Sequence, residues 1–446
     1  MKLLLVDPHG EGLDFAMRAQ RDGHDVRHFI RPTPHTKFIG KGCVQVVDDY
    51  RPWVRWADLV FMTDNVLYVH DFDQRWRKEG VKVIGPTEET AQWEIDRAVG
   101  MEVFRKAHVA VPPFKMFTDY DDAIAYVKRE NRRFVSKPCG DDDKALSYCS
   151  KSPEDMIYML QRWKKLGKLK SSFIIQEFIP GIEMAVGGWF GPGGFNAGWC
   201  ENFEFKKLMN DDLGVATGEQ GTVLRYVTSS RLARRVLKPI TEQLERAGYV
   251  GYIDVNCIID EKGNPWPLEF TTRPGWPTFN IQQALHEGDH VQWLVDLWNG
   301  KDAHNWVKNA VATGVVVSIP DYPYSRLTGK EVVGIPVYGL QPENWENTHP
   351  CQMMMGVAPK EIKGKFVDVP MMVTAGDYVL VMSGTGHDVQ TSSRSAYRRL
   401  KTLVVPNSPM YRTDIGQRLR KQLPELQRMG YATGLEFSTP VLALSA

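Results

Sequence analysis

Over its first hundred residues the chain alternates short apolar runs with helical patterns, and this alternation restricts its fold more than any other feature. The runs Lys2 to Val6, His24 to Phe29, Asp58 to Met62 and Val81 to Ile84 have the length and composition of strands, while Leu13 to Arg21 has helical spacing. Strands separated by helices in this way build βαβ units, and βαβ units build a parallel sheet. The turn after the first strand reads Asp7-Pro8-His9-Gly10-Glu11-Gly12. It falls where open α/β sheets hold ligands, at the carboxyl end of a strand and the N-terminus of a helix. The full GxGxxG spacing is missing, so a tight turn and a ligand loop both remain open.

Composition removes several classes. Lys+Arg 55 against Asp+Glu 54 leaves a formal net charge of +1 over 446 residues, which argues against general nucleic-acid binding. A hydrophobic fraction of 43% and this length suit a soluble protein of several domains. The six cysteines form no CxxC pair and no cluster with zinc spacing, so a reducing compartment is expected. The apolar start Leu3-Leu4-Leu5-Val6 ends at Asp7, too short for a signal core, and no run approaches the roughly 20 apolar residues of a membrane span. A cytoplasmic protein without membrane association is the expectation.

Further along, Gly85-Pro86-Thr87 precedes a segment expected to be one helix from Glu88 to Ala107, with a domain joint near residue 97. Strands are expected at Phe134 to Pro138 and Ser172 to Phe178, with a helix from about Pro153 to Leu166 between them. The run Gly187 to Gly194 lacks the GK[ST] ending of a phosphate loop and reads as a hairpin turn. Gly248 to Ile259 and Pro265 to Thr271 read as strands joined by the turn-forming Asp260-Glu261-Lys262-Gly263-Asn264. Later strands are expected at Gly314 to Ile319 and Asp377 to Met382, and a helix from about Ile415 to Leu426. No internal repeat is present.

The chemistry concentrates on the hairpin. Residues two apart on a strand share a face, so Asp254 and Asn256 on one strand and Glu269 and Thr271 on the next present oxygen-bearing side chains together. Oxygen ligands of this kind suit Mg²⁺, which keeps waters and phosphates in the rest of its shell. Glu269 precedes Arg273 by four residues at a strand end, where ligands are commonly held. Lys137 closes another strand and leads into the polar loop Pro138-Cys139-Gly140-Asp141-Asp142-Asp143-Lys144, with a lysine at either end that could meet phosphates. A solvated hairpin face and a solvated lysine are the plain alternatives.

Together these residues resemble the ATP-grasp ligases, and within them the phosphoribosylamine–glycine ligase family, over most of the chain. Arg97, followed by His108-Val109-Ala110-Val111-Pro112, stands in the place of that family's first nucleotide lysine, and Lys137 matches the second. Gln176-Glu177-Phe178-Ile179-Pro180-Gly181-Ile182-Glu183 resembles the "EEFxxGEE" hinge, which implies Gln176 and the Ile179 backbone near the adenine and Glu183 at the ribose hydroxyls. The block from Phe205 to Gly221 resembles "HKRxxDGDxGPNTGGMG" with equal spacing and includes Lys206, Lys207, Asp212, Thr217 and Gly218. Leu268-Glu269-Phe270-Thr271-Thr272-Arg273 resembles "LEFNCR", in which the Glu binds magnesium and the Arg faces the reacting carboxylate. Asp321-Tyr322-Pro323 and Tyr411-Arg412-Thr413-Asp414-Ile415-Gly416 resemble "GYP" and "YRxDIG".

The resemblance implies an α/β chain with the ATP-grasp fold: an N-terminal parallel α/β (pre-ATP-grasp) domain over 1–97, an ATP-grasp domain over 98–310 with a lid at about 114–186, and a small β-rich C-terminal domain over 311–446. It implies ATP and Mg²⁺ (or Mn²⁺) as cofactors. It also implies formation of an amide through an acyl phosphate, from glycine or another amino acid and an amine, by a monomer or homodimer. Lys206, Lys207 and Arg273 are the expected catalytic groups. Expected nucleotide contacts are Arg97, Lys137, Lys144, Gln176, Glu177, Ile179 and Glu183, and the metal set is Glu269, Asn256, Thr271 and Asp254. His9, Gly10, Gly12, Asp212, Thr217, Gly218 and Trp276 are the expected substrate residues.

Three departures bear on this reading. Thr271 replaces the Asn of "LEFN", so Asn256 is expected to substitute as a ligand, with Asp254 behind it. Asp141, Asp142 and Asp143 make the phosphate-covering loop acidic. Acids also enter the first turn, where the family's "GGGGREH" holds a ribose phosphate. Alternative readings are therefore a ligase for a different amine, such as a modified nucleotide, and an ATP-binding protein without turnover.

Overall fold

The computed structural model describes residues 1–139, 146–168, 172–302, 307–406 and 408–439. The N-terminal alternation forms a parallel sheet in the order Val46–Val47, Asp25–Phe29, Lys2–Val6, Leu59–Met62 and Val83–Ile84. Leu3, Leu4, Leu5 and Val6 are all buried, as expected of a central strand covered on both faces. The helix Leu13–Arg21 follows the first strand with the expected bounds.

The segment expected as one helix from Glu88 to Ala107 is two, Glu88–Ile95 and Arg97–Lys106. Asp96 breaks it, because its backbone is extended and its carboxylate accepts from the Ala98 and Val99 amides as an N-cap. The break makes Arg97 the first residue of a new helix. Thr87 caps the preceding helix reciprocally with Thr90.

A small antiparallel sheet follows, in the order Phe114–Phe117, Ser172–Glu177, Phe134–Cys139 and Tyr148–Cys149. The helices Tyr120–Glu130 and Pro153–Lys165 bury Tyr120, Ile124, Leu160 and Trp163 in one cluster with Phe117, Phe134 and Phe173 from this sheet. Ser152 caps the second helix, with Pro153 at its first position.

The largest sheet is antiparallel and runs Pro265–Thr271, Gly251–Ile259, Ile182–Gly191, Gly194–Met209, Leu213–Val227, Val311–Ser318, Tyr378–Gly386 and Thr348–Pro350. It continues without interruption from the middle of the chain into the last third. The run Gly187 to Gly194 makes the tight hairpin expected, with Gly191 opposite Gly194. Gly187 has a separate reason: a Cβ there would lie 1.9 Å from the Tyr252 hydroxyl, which reaches across to Asp254. The turn 260–264 is organised by Asp260, whose carboxylate accepts from the Lys262 and Asn264 amides.

Toward the C-terminus, Met353–Ile362 and Lys365–Thr374 form a separate hairpin, and the helix Val389–Leu400 packs on the large sheet. The last helix spans Leu419–Arg428, starting later than expected because Gly416, at φ +90°, turns the chain between Asp414 and Gln417. Among the described residues no helix is long and apolar enough to cross a membrane.

Candidate functional site

Register decides what the hairpin presents. Asn256 lies opposite Glu269, and Asp254 lies opposite Thr271, so the four side chains expected to share a face do so. Beyond the intervening strand Ile182–Gly191, the strand Gly194–Met209 adds Asn202, Glu204 and Lys206 at alternate positions, while Phe203 and Phe205 between them face the core. The Lys206 ammonium lies 3.1 Å from both Glu183 and Glu204 and 3.3 Å from Glu269. Arg97, delivered by the Asp96 break, places its guanidinium 2.7 Å from the other Glu269 oxygen. The Lys137 ammonium reaches the same place from the small sheet and donates to the Leu268 carbonyl at 3.0 Å.

The charges of this cluster are strongly perturbed. Burial opposes ionisation of Glu269, but Arg97, Lys206 and Lys137 outweigh it and hold its carboxyl well below the usual range. Burial pushes the Lys137 ammonium down to about 8, assisted by Arg97 and Lys206 and opposed by Glu269. Burial also disfavours the Lys206 cation, yet Glu183, Glu204 and Glu269 raise its pKa well above the ordinary value. Glu204 is lifted by burial, because one lysine shared among several carboxylates does not offset it. A partly buried, charge-dense cluster of this composition can stabilise phosphate groups.

Asn256 provides a test of whether the residues fit a divalent ion. Its amide nitrogen donates to Glu204 at 2.9 Å, so its carbonyl oxygen faces the other way, buried and without a hydrogen-bond partner. That oxygen and the Glu269 carboxylate opposite it make a small oxygen-donor set of the kind Mg²⁺ uses, with phosphates and water completing the shell. Among the described residues no group of three or more His, Cys, Asp or Glu side chains forms a fuller metal cage. Asp254 is held back from this set. Its carboxylate accepts from Asn202 at 2.8 Å and Tyr252 at 3.1 Å, and burial pushes its pKa up to about 7.

Of the other residues expected at the nucleotide, Gln176 and Glu177 end the strand Ser172–Glu177 of the small sheet. Gln176 is buried, and its amide approaches the Met101 sulfur at 3.9 Å. Glu177 pairs with Arg132 at 2.8 Å, while Ile179 lies in the crossing from the small sheet to the large one. Lys144 and the acids Asp141, Asp142 and Asp143 lie outside the described residues.

On the opposite side, Arg273 pairs with Glu94 at 3.2 Å, and Glu94 also accepts from the Thr272 amide. His9 pairs with Asp64 at 3.4 Å. The turn holding His9, Gly10 and Gly12 is filled from within: Asp7 accepts from the Glu11 amide at 3.2 Å, the Gly12 amide at 2.7 Å, the Thr63 hydroxyl at 3.0 Å and the His28 ring at 2.8 Å. Gly10 bears φ +76° against Ile39, which only a glycine accommodates easily. Trp276 stands edge-on to Phe279, with its indole N–H buried and unpartnered.

The block from Phe205 to Gly221 is a long hairpin, and both C-terminal motifs grip it. Arg412 donates to Asp212 at 2.8 Å and to the Lys207 carbonyl at 3.0 Å, Arg418 pairs with Asp212 at 3.1 Å, and Asp414 accepts from the Asp211 amide. Tyr322 accepts from Gln220 at 3.1 Å, and Thr217 donates to the Lys206 carbonyl at 2.9 Å. A Cβ on Gly218 would meet nothing within 4 Å. Lys206 therefore enters the carboxylate cluster, whereas Asp212 is tied to the C-terminal arginines.

Sequence reasoning missed Glu204, Glu219, Glu94 and the inward role of Asp7. Glu219 is a buried carboxyl whose pKa burial raises well above the usual value, with one oxygen unpartnered. The period-two alternation Asn202-Phe203-Glu204-Phe205-Lys206 was the available signal for Glu204. Nothing local marked Glu94, whose partner lies 179 positions away, from 94 to 273.

The chain is similar to known proteins in sequence and in fold. Residues 96–278 match the family model for the ATP-grasp (A) domain of phosphoribosylglycinamide synthetase. Phosphoribosylamine–glycine ligase of Salmonella typhimurium is 25% identical over 361 residues, 77% of this chain and 79% of that protein. The Escherichia coli K12 enzyme of the same name is 23% identical, covering 81% of this chain and 83% of that protein. The fold superimposes on phosphoribosylamine–glycine ligase from Thermotoga maritima with a TM-score of 0.72 at 18% identity, covering 93% of this chain and 100% of that one. A more distant match is biotin carboxylase from Campylobacter jejuni, with a TM-score of 0.59 at 13% identity, covering 97% of this chain and 95% of that one. The chain is an ADP-forming, carbon–nitrogen bond-forming ATP-grasp ligase that resembles phosphoribosylamine–glycine ligase.

Proposed function

We propose that the chain converts a small carboxylate to an acyl phosphate with ATP and passes the acyl group to an amine. A carboxylate oxygen attacks the γ-phosphorus and ADP leaves; the amine nitrogen then attacks the acyl carbon, inorganic phosphate leaves with the electron pair of the broken C–O bond, and the nitrogen gives up a proton. The observation that carries this reading is the convergence of Lys137, Arg97 and Lys206 on Glu269 at one sheet face. Arg97 and Lys137 reach the phosphates as those displace Glu269 from its ion pairs, and Lys206 offsets charge on the transferring group. Magnesium (or manganese), held by Glu269 and the free Asn256 oxygen, supplies neutralisation of the phosphate oxygens. Arg273 orients the reacting carboxylate.

In this reading 1–97 is the substrate domain, 98–310 the ATP-grasp domain and 311–446 the C-terminal domain. The region at about 114–186 covers the nucleotide and keeps water from the acyl phosphate. Gln176, Glu177 and the Ile179 backbone face the adenine, and Glu183 faces the ribose. Lys207, Thr217, Gly218 and Asp212 shape the loop around the acyl group.

Glycine and phosphoribosylamine are the substrates that the similar enzymes' names suggest. A second reading, a different amine with the same ligase chemistry, is favoured by Asp7 occupying the first turn. The test is ADP release from MgATP with glycine, with and without phosphoribosylamine formed in the cuvette, together with the product mass. Release needing both, with glycinamide ribonucleotide formed, supports the first reading. Release that needs glycine but ignores phosphoribosylamine supports the second. Loss of all release in the parent protein, with MgATP bound, contradicts both.

A further inference from the structure

A strand-to-helix turn at the edge of a parallel sheet binds phosphate with its backbone amides, which point outward at the positive end of the helix. In this chain two amides of that turn, those of Glu11 and Gly12, point inward at one side chain. The Gly10 amide donates to the Asp7 carbonyl at 3.1 Å, and the Glu11 and Gly12 amides donate to the Asp7 carboxylate. The carboxylate is 1% exposed, and Thr63 and His28 hold it from behind, so it is a fixed part of the fold. A Cβ on Gly12 would sit 3.1 Å from the Asp7 oxygen, which shows how closely the turn is wrapped around the acid. An anion is therefore already present where a phosphate would go.

The surroundings oppose a second anion. Asp64 pairs with His9, and Glu94 pairs with Arg273, so these two cations are already matched by carboxylates. Glu11 and Asp64 also lie close enough to stabilise the charge on Arg273. A phosphate entering here would displace a buried carboxylate from its donors and then face Glu11 and Asp64 across a short gap.

Resting on the ligase reading, we propose that the amine accepted by this enzyme carries no phosphate group, and that Asp7 is the specificity residue that excludes one. The comparison that isolates the phosphate uses one amine in two forms, ribosylamine and phosphoribosylamine, each formed in the cuvette from the sugar and ammonia, with MgATP and glycine. Ribosylamine is expected to support ADP release at least as well as phosphoribosylamine. In parallel, calorimetry with MgADP present measures binding of ribose 5-phosphate to the parent protein. No saturable binding is expected, while MgADP binds. An Asp7→Gly variant, which returns the Glu11 and Gly12 amides to the turn, is expected to gain ribose 5-phosphate affinity by about tenfold or more.

Saturable ribose 5-phosphate binding to the parent, or a clear preference for phosphoribosylamine over ribosylamine, overturns the proposal whether or not the variant folds. Failure of the ligase reading looks different. It is an absence of MgATP binding, or an absence of ADP release with every amine, and the ribose 5-phosphate titration still decides the phosphate question.

Discussion

At the residue scale, Lys137 carries the most direct pH signature. Burial brings its pKa to about 8, below its ordinary 10.5, so in the free protein the ammonium begins to lose its proton near there. Nucleotide phosphates favour the protonated form. MgATP binding at pH 8 is therefore expected to take up a fraction of a proton, and affinity is expected to fall as pH rises past that value. Calorimetry in buffers of different ionisation enthalpy measures the uptake; zero uptake across the range contradicts the assignment. Asp254 gives the opposite slope. Its folded pKa is raised from 3.8 to about 7, so the native state binds more protons in that window and stability is lost as pH rises through it. Asp254→Asn removes that loss. The variant is expected to gain on the parent by on the order of a few kcal/mol between pH 4 and pH 8, read as a urea midpoint, less the altered bond to Asn202. Glu269 was legible from its neighbours in the sequence, because an acid inside an apolar strand next to an arginine is unusual. Glu94 was not, since its partner comes from a distant segment, and Glu204 was marked only by the alternation of its own strand.

At the element scale, two junctions position the site. Asp96 stops one helix and starts the next, which turns Arg97 toward Glu269. Asp96→Ala is expected to lower stability by about 1 kcal/mol through the lost cap, and to weaken MgATP binding because Arg97 loses its register. A urea titration and a nucleotide titration separate the two effects. The second junction is the hold of Arg412 on Asp212, Asp414 and the Lys207 carbonyl. Arg412→Ala is expected to cost on the order of 2–3 kcal/mol, discounted because Asp212 is part-exposed, and to slow turnover through Lys206 on the same hairpin. Other elements were readable: the strand Pro265–Thr271 and the helix Leu13–Arg21 have the bounds their patterns give. The single helix expected over Glu88 to Ala107 was not, because helical periodicity continues through Asp96 while its carboxylate competes locally for the backbone.

At the scale of the whole molecule, the large sheet joins segments from residue 182 to residue 386, so the face bearing Glu269 and Lys206 and the C-terminal motifs belong to one framework. That continuity explains how Tyr322 and Arg412 reach a hairpin 102 and 200 positions away. The parallel N-terminal sheet was legible from alternation alone. Pairing order in the large sheet was not, because antiparallel strands with both faces buried carry no pattern that names their neighbour. The filled first turn belongs to this scale as well, since Asp7 is closed by His28 and Thr63 from other strands.

The central claim, that a carboxylate is activated as an acyl phosphate, is tested most directly by isotope transfer. Glycine labelled with ¹⁸O in its carboxylate, MgATP and each candidate amine are turned over, and the released phosphate is analysed by mass. The account predicts that one carboxylate oxygen appears in each inorganic phosphate formed. ADP release with unlabelled phosphate, or release that proceeds equally without any carboxylate, would contradict it.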